Sequence, residues 1–262
     1  MPPGVTLPPG FTLPSSTTTE FGGADFVRYT RDAFLSSVGA GSSVSIGGCI
    51  VFTFRGQSGI SSVIGAFTGL DAGAAINLNG PNGSRQLTKL TTGGFKGSYS
   101  ASLATGTQPA YLTPGSYTLS GTGGADVGAF QASITAGSSL NWLNQSSITT
   151  VNRSQDLQIT WSGGGNGNVE IIGSSVSIAG GAASAFGASF VCSAAASAGQ
   201  FTIPSVVLLA LPAGSTQTVG GVSIPTGSLS VGSVTFAPFT ATGIDQGIAV
   251  YTDTTGKSVS YQ

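Results

Sequence analysis

The residues best suited to chemistry in this sequence are its carboxylates, because the chain contains no histidine. Three of the nine acidic residues fall in a repeated pattern, Gly-x-Asp-x-Gly, which centres on Asp71, Asp126 and Asp245. A partial copy, Gly-Ala-Asp, ends at Asp25. In such a turn the aspartate side chain accepts a backbone N–H two residues further on, while glycine adopts a positive φ. The repeated pattern therefore predicts structural turns.

Two chemical uses of the same aspartates are weaker interpretations. An acid/base pair would make the protein a carboxylate-dependent hydrolase, but nothing in the sequence brings two of them together. A calcium site needs several oxygen ligands close together, and the sequence has no Asp-x-Asp cluster. The missing histidine excludes serine triads and histidine-ligated zinc or iron. We therefore expect no catalytic residue, no metal and no cofactor, and a protein that is not an enzyme.

The chain contains unusually few charged residues. Only 6% of its 262 residues are charged, where soluble domains carry roughly a quarter, so Ser, Thr, Asn and Gln must cover the surface. The net charge of −1 and the lack of a Lys/Arg cluster exclude nucleic acid as a partner. A hydrophobic fraction of 40% indicates a folded core. No run reaches the ~18 to 20 apolar residues of a membrane span, so we expect no membrane insertion.

The two cysteines, Cys49 and Cys192, both lie in apolar, strand-like contexts. They are consistent with two buried thiols that pack as small hydrophobic residues. They are also consistent with one disulfide that joins distant segments of the chain.

Aromatic side chains are the candidates for a sugar-binding platform. Trp161 alternates with Leu157 and Ile159, which favours a place in the core. Trp142 lies near a predicted domain boundary and is the better surface candidate, together with Tyr111. These two residues are the predicted ligand-binding side chains.

Residues 1–19 form a proline-rich arm. Its apolar residues fall on odd positions, so an extended conformation places them along one edge. The arm is either a linker or a segment that docks into a groove of its own or a neighbouring subunit. The residues of this predicted assembly edge are Val5, Leu7, Phe11 and Leu13.

Two segments have helical features. Residues 25–38 have the spacing of one short helix near the N-terminus, with Asp25 as cap and Gly39 at the end. Pro204 starts a second short segment, 205–211, of one or two helical turns.

Most of the remaining chain alternates with period two between Gly, Asn, Ser and Pro turns, which is typical of antiparallel strands. Hairpins are predicted over 76–90 and 157–171, each with a glycine-rich turn. We expect an all-β fold of two Ig-like or Greek-key β-sandwiches, 20–138 and 139–262, after the arm.

Four phrases resemble segments of uncharacterised secreted, β-rich proteins of acidobacteria-type soil bacteria. They are 111–121 (YLTPGSYTLSG), 123–130 (GGADVGAF), 157–164 (LQITWSGG) and 199–204 (GQFTIP). The resemblance carries no catalytic motif and implies an exported protein. Met1 is followed by Pro-Pro-Gly rather than by a basic and apolar leader, so the chain either begins after processing or is cytosolic. The composition, which is rich in Ser, Thr, Gly and Ala and poor in Lys, favours a chain that begins after processing.

The leading hypothesis is a non-enzymatic, secreted or cell-surface structural or adhesive protein of bacterial type, which forms a fibre through its arm. A carbohydrate-binding module is the second hypothesis, and the hydrolase is the third. The expected partners are therefore other copies of the chain or surface glycans.

Overall fold

The computed structural model describes residues 18–29, 42–55, 67–91, 97–106, 108–177, 186–214, 216–219 and 222–262. These residues are mostly in β-strands, which confirms the all-β class. The short helical segment predicted after Pro204 is present as α1, Ser205–Leu209, and two 3₁₀ turns cover Gln145–Ser147 and Ala196–Ala198. None of the helices in the described part of the chain is long and apolar enough to span a membrane.

The strands are numbered in chain order. They are β1 Thr18–Asp25, β2 Val27–Tyr29, β3 Ser42–Ile46, β4 Cys49–Arg55, β5 Phe67–Gly69, β6 Ala75–Gly80, β7 Gly83–Lys89, β8 Ser98–Gly106, β9 Gly115–Gly121, β10 Phe130–Ala136, β11 Asn141–Trp142, β12 Thr150–Val151, β13 Leu157–Ser162, β14 Asn168–Ser177, β15 Phe186–Ala195, β16 Gln200–Ile203, β17 Thr216–Val219, β18 Val222–Pro225, β19 Gly227–Phe239 and β20 Gly247–Tyr261.

Two large sheets contain most of these strands. A six-stranded antiparallel sheet has the order β1-β8-β7-β6-β9-β10, and it includes the predicted 76–90 hairpin as β6 and β7. A seven-stranded sheet has the order β12-β20-β19-β14-β15-β4-β3, in which only β12 and β20 are parallel. Small sheets join β11-β13-β16, β17-β18 and β2-β5.

Each large sheet covers its own hydrophobic core. The core of the six-stranded sheet contains Ile76, Leu87, Tyr117 and Phe130. The core of the seven-stranded sheet contains Trp161, Ile171, Phe190 and Leu229, among others. Alternating apolar residues on each strand point into these cores, as period-two patterning requires.

The β19–β20 hairpin connects the two cores. Its strands pair continuously from Gly227 and Val259 at one end to Phe239 and Gly247 at the other. One end contributes Leu229 to the core of the seven-stranded sheet, and the other packs Phe239 on the core of the six-stranded sheet. The end that carries Phe239 also lies against β10.

The predicted pair of Ig-like sandwiches, divided near residue 138, is not confirmed. β3 and β4, which fall in the predicted first unit of 20–138, pair with β15 in the sheet of the second. The long hairpin likewise serves both cores. The sheets therefore cross the predicted boundary.

The hairpin predicted over 157–171 is wrong. β13 pairs with β11 and β16, whereas β14 pairs with β15 and β19. Three consecutive glycines with positive φ, Gly163, Gly164 and Gly165, follow β13 and carry the chain from one sheet to another.

The predicted helix over 25–38 is wrong at its start, and residues 30–38 lie outside the described residues. β1 extends to Asp25 and β2 covers 27–29. Phe26, between them, is buried, donates its N–H to Gly97 O at 3.0 Å and accepts from Leu70 N–H at 2.8 Å. These pairings with distant segments hold the chain extended.

Cys49 and Cys192 form a disulfide rather than two free thiols. They are register partners on β4 and β15, so the bond links adjacent strands, and both residues are fully buried.

Candidate functional site

The first two Gly-x-Asp-x-Gly turns, at 69–73 and 124–128, lie against each other. Asp71 Oδ1 accepts the N–H of Gly73 at 3.0 Å, which is the bond that the motif predicts. Asp126 Oδ2 instead accepts the N–H of Asp71 at 2.8 Å. In return, Asp71 O accepts the N–H groups of Asp126 and Val127, both at 3.0 Å. Each aspartate therefore holds the other's turn.

The contact between these turns requires glycine. A Cβ on Gly124 would lie 2.7 Å from Asp71 O, and one on Gly73 would lie 2.7 Å from Gly123 O. Real Cβ atoms do not approach backbone oxygens so closely, so the glycines let two backbones meet.

The third turn, 243–247, packs on the second. Gly128 N–H donates to Thr242 O at 2.8 Å, and Gly243, with φ of +91°, lies directly against Asp126 O. Three turns that are far apart in sequence thus form one cluster, here named the aspartate-turn cluster and comprising residues 69–73, 124–128 and 242–247. The side chain of Asp245 is exposed.

Lys89 and Tyr99 complete the cluster. Lys89 Nζ lies 2.5 Å from Asp71 Oδ1, and both side chains are about three-quarters buried (27% and 30% exposed). The hydrogen bond from Lys89 lowers the pKa of Asp71, with a further contribution from Gly73 N–H, and the same carboxylate raises the pKa of Lys89. Tyr99 Oη donates to Gly73 O at 2.8 Å. The pair is charged at neutral pH and fixes β7 to the first turn.

Glu20 is a buried carboxylate that sequence reasoning missed. It is only 8% exposed, and its Oε2 accepts the N–H groups of Tyr111 at 2.7 Å and Leu112 at 3.0 Å. A buried charge is tolerated when it is hydrogen-bonded in this way. Glu20 therefore fastens the loop before β9 to β1.

Four more charged side chains, here named the loop-binding residues, bind backbone groups in loops or at the start of short helical turns. They are Asp156 to Ser205 N at 2.7 Å, Asp253 to Leu140 N at 3.1 Å, Arg153 to Leu211 O at 2.7 Å and Lys257 to Gln145 O at 2.9 Å. Each joins segments more than 45 residues apart, since the shortest separation is 49.

A cleft of about 650 Å³ lies beside the third turn. One wall is formed by residues 23–29 and the other by residues 243–250. Leu119, Phe130 and Phe239 contribute apolar lining. Polar side chains of the lining are Asp25, Arg28, Tyr29, Asp245 and Gln246. The cleft suits a ligand that has both apolar and polar groups.

The predicted aromatic platform is wrong, because both residues are buried. Trp142 is 4% exposed, and its Nε1–H donates to Asn144 Oδ1 at 2.9 Å. Tyr111 is 1% exposed, and its hydroxyl donates to backbone oxygens of Leu78 and Gly83 at 3.1 and 2.9 Å. Burial raises the pKa of Tyr111. Neither ring is available to stack on a sugar.

The predicted assembly edge, Val5, Leu7, Phe11 and Leu13, lies outside the described residues. Among the residues that the structure does describe, no group of three or more Cys, Asp or Glu side chains is arranged to hold a metal ion.

Sequence reasoning missed the cleft and the meeting of the three turns, because both depend on long-range packing. The repeated motif was the available signal, since glycines on both sides of an aspartate permit close contact between backbones. Comparison with protein-family models and with curated proteins finds no match to this chain.

Proposed function

We propose that this chain is an exported, non-enzymatic structural or adhesive β protein that assembles with copies of itself through the N-terminal arm. The proposal rests on one observation: many of the few charged side chains hold loops and turns in place. Glu20, Asp71, Lys89, Asp126 and the four loop-binding residues named above all bond to backbone groups or to each other. In a chain with 17 charged side chains, eight are thereby committed to holding loops and turns.

The disulfide supports export. Structural disulfides form and persist in oxidising compartments and are rare in the cytosol. Cys49 and Cys192 are fully buried and join β4 to β15 across 143 residues of sequence, which suits a protein that must survive outside the cell.

The test of self-assembly uses two full-length variants. In the first, Val5, Leu7, Phe11 and Leu13 are all replaced by Ser; in the matched control, Thr6 and Thr12 are replaced by Ser. Mass is measured by light scattering over a concentration series. We expect the native chain and the control to form large species and the first variant to stay monomeric. Equal masses for all three proteins would refute assembly through the arm.

A carbohydrate-binding module is a second candidate, favoured by the polar rim of the cleft. Tyr29, Arg28 and Gln246 line it, and the ring of Tyr29 is half exposed. A glycan array tests this candidate with the native chain and Tyr29→Ala. Binding that is lost in the variant supports it, and no binding by the native chain removes it.

A further inference from the structure

Two strands that line the cleft, β1 and β20, each have an edge without a partner among the described strands. β1 pairs with β8 on one side, and no described strand pairs with its other side. The first part of β20, residues 247–255, pairs with β19 only, within the described part of the chain, because β12 pairs with β20 only at Ser260 and Tyr261. Unpaired strand edges present rows of N–H and C=O groups that can accept another strand.

The two strands line two adjacent cavities that have lining residues in common. Gly23 and Val250 both line the 650 Å³ cleft and also a smaller extension of about 120 Å³. Phe21 and Thr252 line the extension, and Tyr29 lines the larger part. Residues 21–25 of β1 line one or both of these cavities, which together form a groove beside that strand. We name it the β1–β20 groove.

The walls of this groove include large apolar side chains that are exposed. Phe21 is 64% exposed, Val250 51% and Ile248 48%. Beside the groove, Phe236, which is the register partner of Val250 but does not line either cavity, is 53% exposed. These exposed apolar side chains lie beside two strand edges that have no partner among the described strands, which indicates a surface that is covered in use.

We propose that the β1–β20 groove is the receptor for residues 4–13 of the arm of a second copy, which adds there as a strand. This inference rests on the proposed self-assembly. The arm contains two matching six-residue units, Pro-Pro-Gly-Val-Thr-Leu at 2–7 and Pro-Pro-Gly-Phe-Thr-Leu at 8–13. In each unit two apolar residues flank a threonine, so an added strand directs both toward the apolar lining.

The length of the arm fits the groove. Ten extended residues span about 33 Å, and the eight residues of β1 span about 26 Å. Prolines lack the N–H that a ladder needs, so the pairing is confined to the runs Gly4–Leu7 and Gly10–Leu13. Each of these two runs is long enough to form one short ladder of backbone hydrogen bonds with a strand edge of the groove.

The sequence next to β1 favours a neighbour's arm over the chain's own. To fold back along β1, the arm must reverse within residues 14–17, which read Pro-Ser-Ser-Thr. Tight hairpin turns rely on Gly, Asn or Asp at positive φ, and this segment has none of them. The donor of the arm in this proposal is therefore a second copy.

The experiment compares full-length variants. Val250→Arg places a charge in the groove, and Ile50→Arg is the matched control, since Ile50 is a strand residue of the seven-stranded sheet that is 43% exposed. Melting temperatures verify that both variants fold. We expect Val250→Arg to weaken assembly at least about tenfold, because a buried apolar contact is lost, and Ile50→Arg to assemble as the native chain does.

Mixing identifies which copy supplies the arm. The Val250→Arg chain keeps its arm, and the chain with the four arm residues replaced by Ser keeps its groove. Each alone should be monomeric, and the mixture should give dimers, because one arm finds one groove. A mixture that stays monomeric overturns docking between copies. Native-like assembly of Val250→Arg overturns the groove alone, whereas native-like assembly of the arm variant overturns the proposed function itself.

Discussion

The packing of the third aspartate turn on the second can be tested by adding one methyl group. Gly243 has φ of +91° and lies against Asp126 O, so Gly243→Ala introduces both backbone strain and a clash. Gly83, in the β6–β7 turn, also has φ of +91°, but a Cβ there would meet nothing within 4 Å. Gly83→Ala is therefore a control with the same strain and no clash.

The structure gives the expected magnitudes. An alanine at positive φ costs roughly 1–2 kcal/mol, which is the whole effect at Gly83. At Gly243 the turns must also separate. Overpacking costs about 1–3 kcal/mol, and losing the hydrogen bond from Gly128 N–H to Thr242 O costs about 1 kcal/mol more. Gly243→Ala should therefore be less stable than Gly83→Ala by at least about 2 kcal/mol.

Calorimetric melting measures the difference. For a chain of this size, 2 kcal/mol corresponds to a separation of roughly 4–8 °C between the two variants. Both variants lose the same backbone freedom in the unfolded chain, so the comparison isolates the clash. If Gly243→Ala melts at or above the temperature of Gly83→Ala, the third turn does not pack on the second as described.

Three other predictions concern stability. Glu20→Ala leaves one buried and one partly buried backbone N–H group without an acceptor and should lower the free energy of unfolding by about 2–4 kcal/mol in urea titrations. A loss under about 1 kcal/mol would contradict the role given to this carboxylate. Reduction of the Cys49–Cys192 disulfide opens a loop whose ends are 143 residues apart in sequence, and it should lower the free energy of unfolding by about 5 kcal/mol. An unchanged melting temperature in reductant would count against this stabilising role. Burial raises the pKa of Tyr251 to about 12, so the neutral phenol is favoured in the fold. Its contribution to stability is complete below the ordinary pKa of 10 and is lost as the pH rises to about 12. Tyr251→Phe should reduce the loss of unfolding free energy over this pH range by about 1 kcal/mol, after allowance for a half-buried ring. An unchanged dependence of stability on pH would contradict the raised pKa of Tyr251.

The alternating sequence pattern predicted where the strands lie better than it predicted which strands pair. The β6–β7 hairpin followed from alternation around Asn79–Gly83, because its turn and pairing are both local. The same reasoning failed for β13, whose partner β16 is separated from it by β14 and β15. Periodicity identifies a strand but does not say which strand lies beside it.

The second source of error was the failure to predict that certain polar or aromatic side chains are buried. Trp142 was predicted at the surface, yet Asn144 lies two residues away and accepts the indole N–H, which lets the ring be buried. Glu20 was not singled out, although a carboxylate with two backbone donors is stable inside a protein. In both cases the partner that makes burial favourable is fixed by the fold.

The candidate site was predictable only in part. The repeated motif identified Asp71, Asp126 and Asp245 as turn residues, and Asp71 makes the local bond. The bond of Asp126 to Asp71 N–H joins residues 55 apart, which no local pattern contains. The groove between β1 and β20 is likewise formed by segments from the two ends of the chain.

An electron micrograph of the purified full-length chain tests directly whether this is a self-assembling structural protein. We expect ordered fibres whose repeat matches one protein copy, because one arm fills one groove in each contact. A field of separate, monomer-sized particles at a concentration where light scattering is measured would contradict it.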